Sequence, residues 1–190
     1  MHCHRCGGDR QYNRRIGRRW IHVWRVPVLP LDPVPEHAQC QSCRARYRLQ
    51  VLALPTVAAM QQALPVASMA AVTTMLMAGN PDSPDARRRA IQIVQTAGLS
   101  SYDEEALTAD LAAADGLGLD ISGPLSRLAG QLTPPAPEWF LADVVRVGLA
   151  DGPLSGSERS AAQLIAVHLD LTAGQAQDVI VRTEENAAAG

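Results

Sequence analysis

Two pairs of cysteines near the N-terminus constrain the fold of this chain more than any other feature of its sequence. Cys3 and Cys6 form one CxxC motif, Cys40 and Cys43 form a second, and 33 residues separate the two pairs. A CxxC turn spaces two thiolates as ligands of one metal ion, and two such turns complete the tetrahedral sulfur shell of a structural zinc. We therefore predict that these four cysteines bind one zinc ion.

These cysteines have two other interpretations. A rubredoxin-type iron site uses similar thiolate ligands. A redox-active CxxC motif normally lies at a helix N-terminus in a thioredoxin-like setting, which the surrounding sequence does not resemble. His2, His4 and His37 lie near the cysteines as substitute ligands, although four cysteines already fill the shell. Because four thiolates leave no open position for a substrate water, we do not expect catalysis at this metal.

The rest of the first fifty residues has the pattern of a small β unit. Residues 20–26 (WIHVWRV) alternate in the manner of a strand. The following PVLPLDPVP, residues 27–35, predicts an extended, turning connection, because proline removes donors from a β-ladder. A second short strand is predicted over residues 46–51. Residues 1–51 are thus expected to form a zinc-ribbon domain that depends on its metal for stability.

From residue 55 onward the pattern changes to helices. The predicted helices span residues 56–63, 65–78, 84–97, 101–114, 121–131, 136–150, 156–169 and 173–186. A shift of 72 residues aligns 77–88 with 149–160, placing Ser83 on Ser155 and Arg87 on Arg159. We interpret residues 55–187 as an all-α domain with two internal copies, about 65–115 and 137–187. The fold class expected is α+β in two parts.

The two parts carry opposite charge. Residues 1–50 hold ten Arg against three carboxylates, a formal +7, and residues 51–190 hold seven Arg against sixteen carboxylates, a formal −9. The N-terminal arginines are interleaved with Tyr12, Trp20, Trp24 and Tyr47, a composition that suits phosphate contacts and base stacking. Nucleic-acid binding by the ribbon is therefore the second functional hypothesis, although the acidic part would repel a polyanion.

The chain has no run of eighteen apolar residues and opens with MHCHRC, without the apolar segment of a signal peptide. We expect a cytoplasmic protein with no transmembrane segment. In a reducing compartment, paired cysteines indicate metal binding rather than disulfides.

Two resemblances add to these expectations. Residues 1–50 resemble a family of small bacterial zinc ribbons, in which an aromatic strand and a segment like VPVLP lie between two CxxC turns. Residues 55–187 resemble the TerB-like, tellurite-resistance-associated helical domain, on the evidence of Ala150-Asp151-Gly152, Glu158 and the residues 168–172 (HLDLT). The resemblance implies an all-α duplicated bundle.

The TerB-like resemblance also implies an acidic surface associated with divalent metal. Only Asp151 and Glu158 match its motif, and they would hold Ca²⁺ or Mg²⁺ weakly. In the first copy Gly79 and Ala86 stand where the family has Asp and Glu. The simpler interpretation is that Asp151 bonds backbone N–H groups and Glu158 complements a helix dipole.

These observations favour a protein that is not an enzyme. The sequence has no Gly-rich phosphate loop, nucleophile elbow or HExxH motif. We expect a zinc-binding protein whose helical domain recognises a protein partner, in a bacterial stress-response or tellurite-resistance-related assembly.

Overall fold

The computed structural model describes residues 3, 5–23, 26–49, 56–118 and 120–189. The chain divides into two compact units, Met1–Ala58 and Ala59–Gly190. The predicted junction between the two domains, residues 51–55, lies outside the described residues, as does the end of the strand predicted to reach residue 51. Within these residues three strands precede seven helices, which is the two-part α+β arrangement expected.

The first unit contains one three-stranded antiparallel sheet. Its strands are β1 (Tyr12–Val23), β2 (Val26–Cys40) and β3 (Arg46–Arg48), in the order β1-β2-β3. Strand β1 includes the predicted residues 20–23 and begins eight residues earlier, and β3 starts where the second strand was predicted. Trp24 lies outside the described residues, as do the side chains behind the predicted alternation of 20–26.

The proline-rich segment is extended and its ladder is irregular, as predicted, but the prediction of a turning connection is wrong. It belongs to β2, where Pro27 pairs with His22, Pro30 with Trp20 and Pro33 with Arg18. In the described residues β3 pairs only with positions 37–39 of β2, so the proline-containing part has one neighbouring strand. A proline whose missing N–H faces away from the only neighbour leaves the ladder intact. Three register shifts along β1 accompany this pairing.

The second unit is built from helices. Their bounds are α1 (Val57–Ala78), α2 (Pro84–Thr96), α3 (Glu104–Leu117), α4 (Ser122–Ala129), α5 (Ala136–Gly148), α6 (Gly156–His168) and α7 (Ala173–Ala188). The separate helices predicted at 56–63 and 65–78 are one helix that continues through Pro65. A proline inside a helix costs about 3 kcal/mol, which the eight buried residues of α1, all beyond Pro65, offset by burial.

Side-chain caps begin several of these helices. Ser83 caps α2 and Ser155 caps α6, the latter in a capping box with Glu158. Helix α3 begins three residues later than predicted, because Asp103 rather than a serine accepts the N–H of Ala106. It also runs past Gly116 and ends before Gly118, which has φ 73°.

An apolar core holds the helices together. Helix α5 packs against α2, α6 and α7. The largest fully buried side chains come from most of the helices and their connections: Val72, Met75, Leu76, Val94, Leu107, Leu125, Leu128, Leu141, Val144, Ile165, Leu169 and Ile180. Among the described residues, no helix combines the length and apolar character that crossing a membrane requires.

Candidate metal centre

The four cysteines converge as the sequence predicted. Their sulfur atoms all lie within 4.8 Å of one another. Sγ of Cys3 is 3.7 Å from Sγ of Cys43, and Sγ of Cys6 is 4.0 Å from Sγ of Cys40. Four sulfurs at bonds of ~2.3 Å from a tetrahedral ion would be ~3.8 Å apart. The four side chains therefore fit a single metal ion, which would bridge both cysteine pairs.

The two CxxC turns have the same backbone hydrogen bonds. In the first turn Gly7 donates its N–H to the carbonyl of Cys3, and Cys3 donates its own to Gly8. In the second, Arg44 donates to the carbonyl of Cys40, and Cys40 donates to Ala45. Each bond is between 2.9 and 3.0 Å long. The two turns thus present their sulfurs to the centre as repeated local structures.

Gly7 and Arg44 share a left-handed backbone, with φ of 62° and 58°. Glycine adopts this conformation without strain because it has no Cβ, whereas in arginine the conformation is energetically unfavourable. Arg44 thus occupies in the second turn the position that Gly7 occupies in the first. Arginine makes the free energy of this turn less favourable than glycine would, but the two turns have the same shape.

Backbone N–H groups point at the first sulfur of each turn. The N–H groups of Cys43 and then Ser42 lower the pKa of Cys40. Such donors stabilise a thiolate over a thiol. The second turn is therefore shaped to present Cys40 as an anionic ligand.

Tyr47 is a part of this site that the cysteine spacing did not reveal. Its hydroxyl lies 3.2 Å from Sγ of Cys3. This hydrogen bond is the main cause that lowers the pKa of Cys3 to about 6, and the same contact raises the pKa of Tyr47. Because a thiolate only accepts, the tyrosine O–H donates. The signal in the sequence was a tyrosine four residues after the last cysteine.

Cys6 shows how strongly the clustered sulfur atoms affect one another. Its contacts with the other sulfurs, first that of Cys43, raise the pKa of Cys6 to about 12. Because adjacent thiolates repel one another, the thiol form of Cys6 is favoured over its thiolate. A divalent ion reverses this balance and deprotonates coordinating thiols outright. The crowding of sulfurs is consistent with a metal shell and is unfavourable without one.

The histidines considered as substitute ligands are placed differently. His37 lies on β2 opposite Arg15 and Arg48. It is three residues from Cys40 and so points to the other face of the strand. His2 and His4 lie outside the described residues. The sulfur cluster contains the four cysteines and, among the described residues, no histidine.

Asp151 and Glu158 have separate surroundings. Glu158 is 6% exposed, and its Oε2 accepts the N–H of Ser155 at 2.7 Å. Asp151 is exposed after the end of α5. Because one oxygen of Glu158 already completes the capping box, a cation would share this carboxylate with the helix terminus. Binding of Ca²⁺ or Mg²⁺ by this pair stays a prediction, which calorimetry of wild type against Asp151→Asn would test.

Comparisons with known proteins add no further identification. No protein-family model, curated protein or solved structure matches the chain.

Proposed function

We propose that this chain is a non-enzymatic protein in which one zinc ion, bound by Cys3, Cys6, Cys40 and Cys43, organises an N-terminal ribbon. The convergence of the four sulfurs within 4.8 Å carries this proposal. Four protein ligands complete the coordination of zinc and leave no open site, which is typical of structural rather than catalytic zinc.

Burial in the ribbon supports a structural role for the metal. Among the described side chains of the first unit, the buried ones are Cys3, Ala38 and Cys40. Two of these three are cysteines of the sulfur cluster, so among the described side chains of this unit most of the buried ones belong to the proposed metal site. Zinc contributes ~10–16 kcal/mol in small modules of this kind, and that free energy is then folding free energy.

The location of the cysteines argues against a redox role. Cys3 and Cys40 each begin a tight turn, and β2 ends at Cys40. Redox-active CxxC motifs draw their low thiol pKa from a helix N-terminus, and the described residues place no helix at either turn. The four cysteines are free thiols rather than disulfides.

Metal analysis of the purified chain tests the zinc assignment. We expect one zinc per chain, and Cys6→Ser should lose it and unfold the ribbon while the helical signal in circular dichroism persists. Ser42→Ala, in the same turn as Cys43 but not a ligand, should keep the metal. A chain without metal would contradict the proposal, and stoichiometric iron would replace zinc with the rubredoxin-type alternative.

For the helical unit we propose a duplicated, TerB-like interaction domain. Helix α2, shifted by 72 residues, coincides with α6 at both ends. The side chains of Ser83 and Ser155 each accept the N–H three residues later. Arg87 pairs with Glu104 and Arg159 with Glu184, so both arginines join the second helix of a copy to the third.

The assembly we propose for this unit is a bacterial stress-response complex related to tellurite resistance. A cytoplasmic location follows from the same proposal. Tellurite tolerance of the source bacterium with and without the intact gene tests the first part. Unchanged tolerance would show that the protein has no role in tellurite resistance. The role in protein interaction would then stand by itself, and affinity capture with the zinc-loaded full chain would test it.

A further inference from the structure

One face of the ribbon sheet is polar and cationic over all three strands. Antiparallel pairing places Arg15, His37 and Arg48 in one row across the sheet, and Asn13, Gln39 and Arg46 in the next. Because side chains two residues apart in a strand share a face, both rows face the same way. We call these six residues the outer sheet face.

The opposite face of the same sheet holds the metal centre. Ala38 and Cys40 are buried there, and Tyr47, which pairs with Ala38, reaches Cys3 with its hydroxyl. The outer sheet face is therefore directed away from the sulfur cluster. None of its six residues belongs to the sulfur cluster.

The arginines of the outer sheet face have no carboxylate partners. Arg15, Arg46 and Arg48 are exposed, and none belongs to an ion pair among the described residues. The nearby ion pair joins Arg14 to Glu36. Each of these residues is next in its strand to a residue of the outer sheet face, so both side chains lie on the opposite face of the sheet. Within the described part of the chain, the outer sheet face thus carries three arginines outside any ion pair, within a few strand spacings of ~4.8 Å.

A polar depression of about 560 Å³ extends this surface. Its lining includes two arginines, Arg15 and Arg44, together with Asn13, Gln39, Cys40 and Gln41. Asn13 accepts a hydrogen bond from Gln41 at 3.0 Å. Guanidinium and amide N–H groups donate hydrogen bonds to phosphate oxygens. Arginine can donate two such bonds to one phosphate in bidentate geometry.

From this arrangement we propose that the outer sheet face binds the phosphate backbone of nucleic acid without reading its bases. The described side chains of this face include no aromatic or large apolar residue, which base stacking or a protein hot spot would require. Tyr12 and Tyr47, which the sequence suggested as stacking residues, alternate onto the opposite face. Phosphate contacts fix position and orientation but carry no direct sequence information.

Fluorescence anisotropy of the zinc-loaded full chain with labelled DNA tests this proposal. The probes are single strands of about 20 nucleotides with different base compositions, titrated between about 50 and 200 mM salt. The triple variant Arg15→Gln, Arg46→Gln, Arg48→Gln should weaken binding at least about tenfold and reduce the slope of log K against log salt by about 2. The matching triple lysine variant should keep most of the slope, because lysine still neutralises phosphate.

A matched control removes three exposed arginines from the helical unit instead: Arg88→Gln, Arg127→Gln and Arg146→Gln. It changes net charge by the same amount and should leave affinity within about threefold of wild type. Zinc content of each variant verifies that the ribbon is folded.

Several outcomes would overturn the proposal. They are absence of wild-type binding at low salt, equal loss in the control variant, and a base preference above about tenfold, which phosphate contacts do not produce. Binding to an acidic peptide but not to DNA would assign the face to a protein partner and likewise overturn it.

Discussion

The carboxylate of Glu158 lies directly against the α-carbon of Gly79. A Cβ built on Gly79 would be 2.8 Å from Cδ of Glu158, closer than real Cβ contacts allow. The same carboxylate accepts the N–H of Ser155 and closes the cap of α6. Gly79 stands where the TerB-like pattern has aspartate, and here the space for a side chain is taken by a residue of the other proposed copy.

Gly79→Ala should therefore destabilise the helical unit by about 1–3 kcal/mol, because overpacking displaces Glu158 from its cap. Glu158→Ala alone should cost about 1 kcal/mol through the lost cap. In a chain that already carries Glu158→Ala, Gly79→Ala should lower the free energy of unfolding much less than it does in the wild type, because the clashing carboxylate is gone. Urea unfolding of the four chains gives this coupling.

Gly156→Ala is the control for that cycle. Nothing lies within 4 Å of a Cβ at this position in the first turn of α6. It should be neutral or slightly stabilising. Additive effects of the Gly79 and Glu158 substitutions would contradict the contact.

Replacing Tyr47 by phenylalanine should weaken metal binding and leave the fold in place. The variant loses the hydroxyl that donates to the Cys3 thiolate, and loss of such a partner of a ligand typically costs about 10–100-fold in metal affinity. Competition with a chromophoric chelator measures the change.

Tyr12→Phe is the matched control, because Tyr12 is on the same sheet and 41% exposed, with no hydrogen bond from its hydroxyl in the described structure. Its affinity should stay within about twofold of wild type. Equal affinities for Tyr47→Phe and wild type would show that the tyrosine does not support the metal ligand.

Arg44→Gly should stabilise the metallated ribbon. The residue has φ 58°, and a left-handed conformation costs a non-glycine residue on the order of 1 kcal/mol that glycine does not pay. The expected gain is about 1 kcal/mol, measured by denaturant unfolding with zinc in excess. Arg44→Ala keeps the Cβ and should give no gain, which separates backbone strain from loss of charge.

The stability of the helical unit should fall at alkaline pH because of Tyr102. Its side chain is 2% exposed and donates to Oδ2 of Asp110 at 2.6 Å. Burial, and then this hydrogen bond to a carboxylate, raises the pKa of Tyr102. The folded state thus holds a proton that the unfolded chain releases near pH 10. The contribution is fully present below that pH and is lost as pH rises above it.

Unfolding free energies of wild type and Tyr102→Phe across pH 7–11 test this linkage. At neutral pH the variant should be less stable by about 1–3 kcal/mol, because Asp110 loses a donor. The difference should shrink above pH ~10. A difference that is constant with pH would contradict the assigned pKa direction.

The sequence by itself determined the features that depend on residue identity and local spacing. Four cysteines in two CxxC motifs predict a site with four thiolate ligands, which suits a soft metal ion, and this prediction does not depend on the fold of the rest of the chain. Helix starts at Ser83 and Ser155 followed from a serine whose side chain accepts the N–H three residues later. These signals act over one turn of chain, so no tertiary information was needed.

Tertiary structure decided what depends on a neighbour distant in sequence. Pairing with β1 made the proline-rich segment a strand, and packing of its second half carried α1 through Pro65. The register of three strands put Tyr47 beside Cys3 and the arginines of the outer sheet face on the opposite side. Contacts of this kind have no local signature, because a one-residue change of register would reverse every side chain.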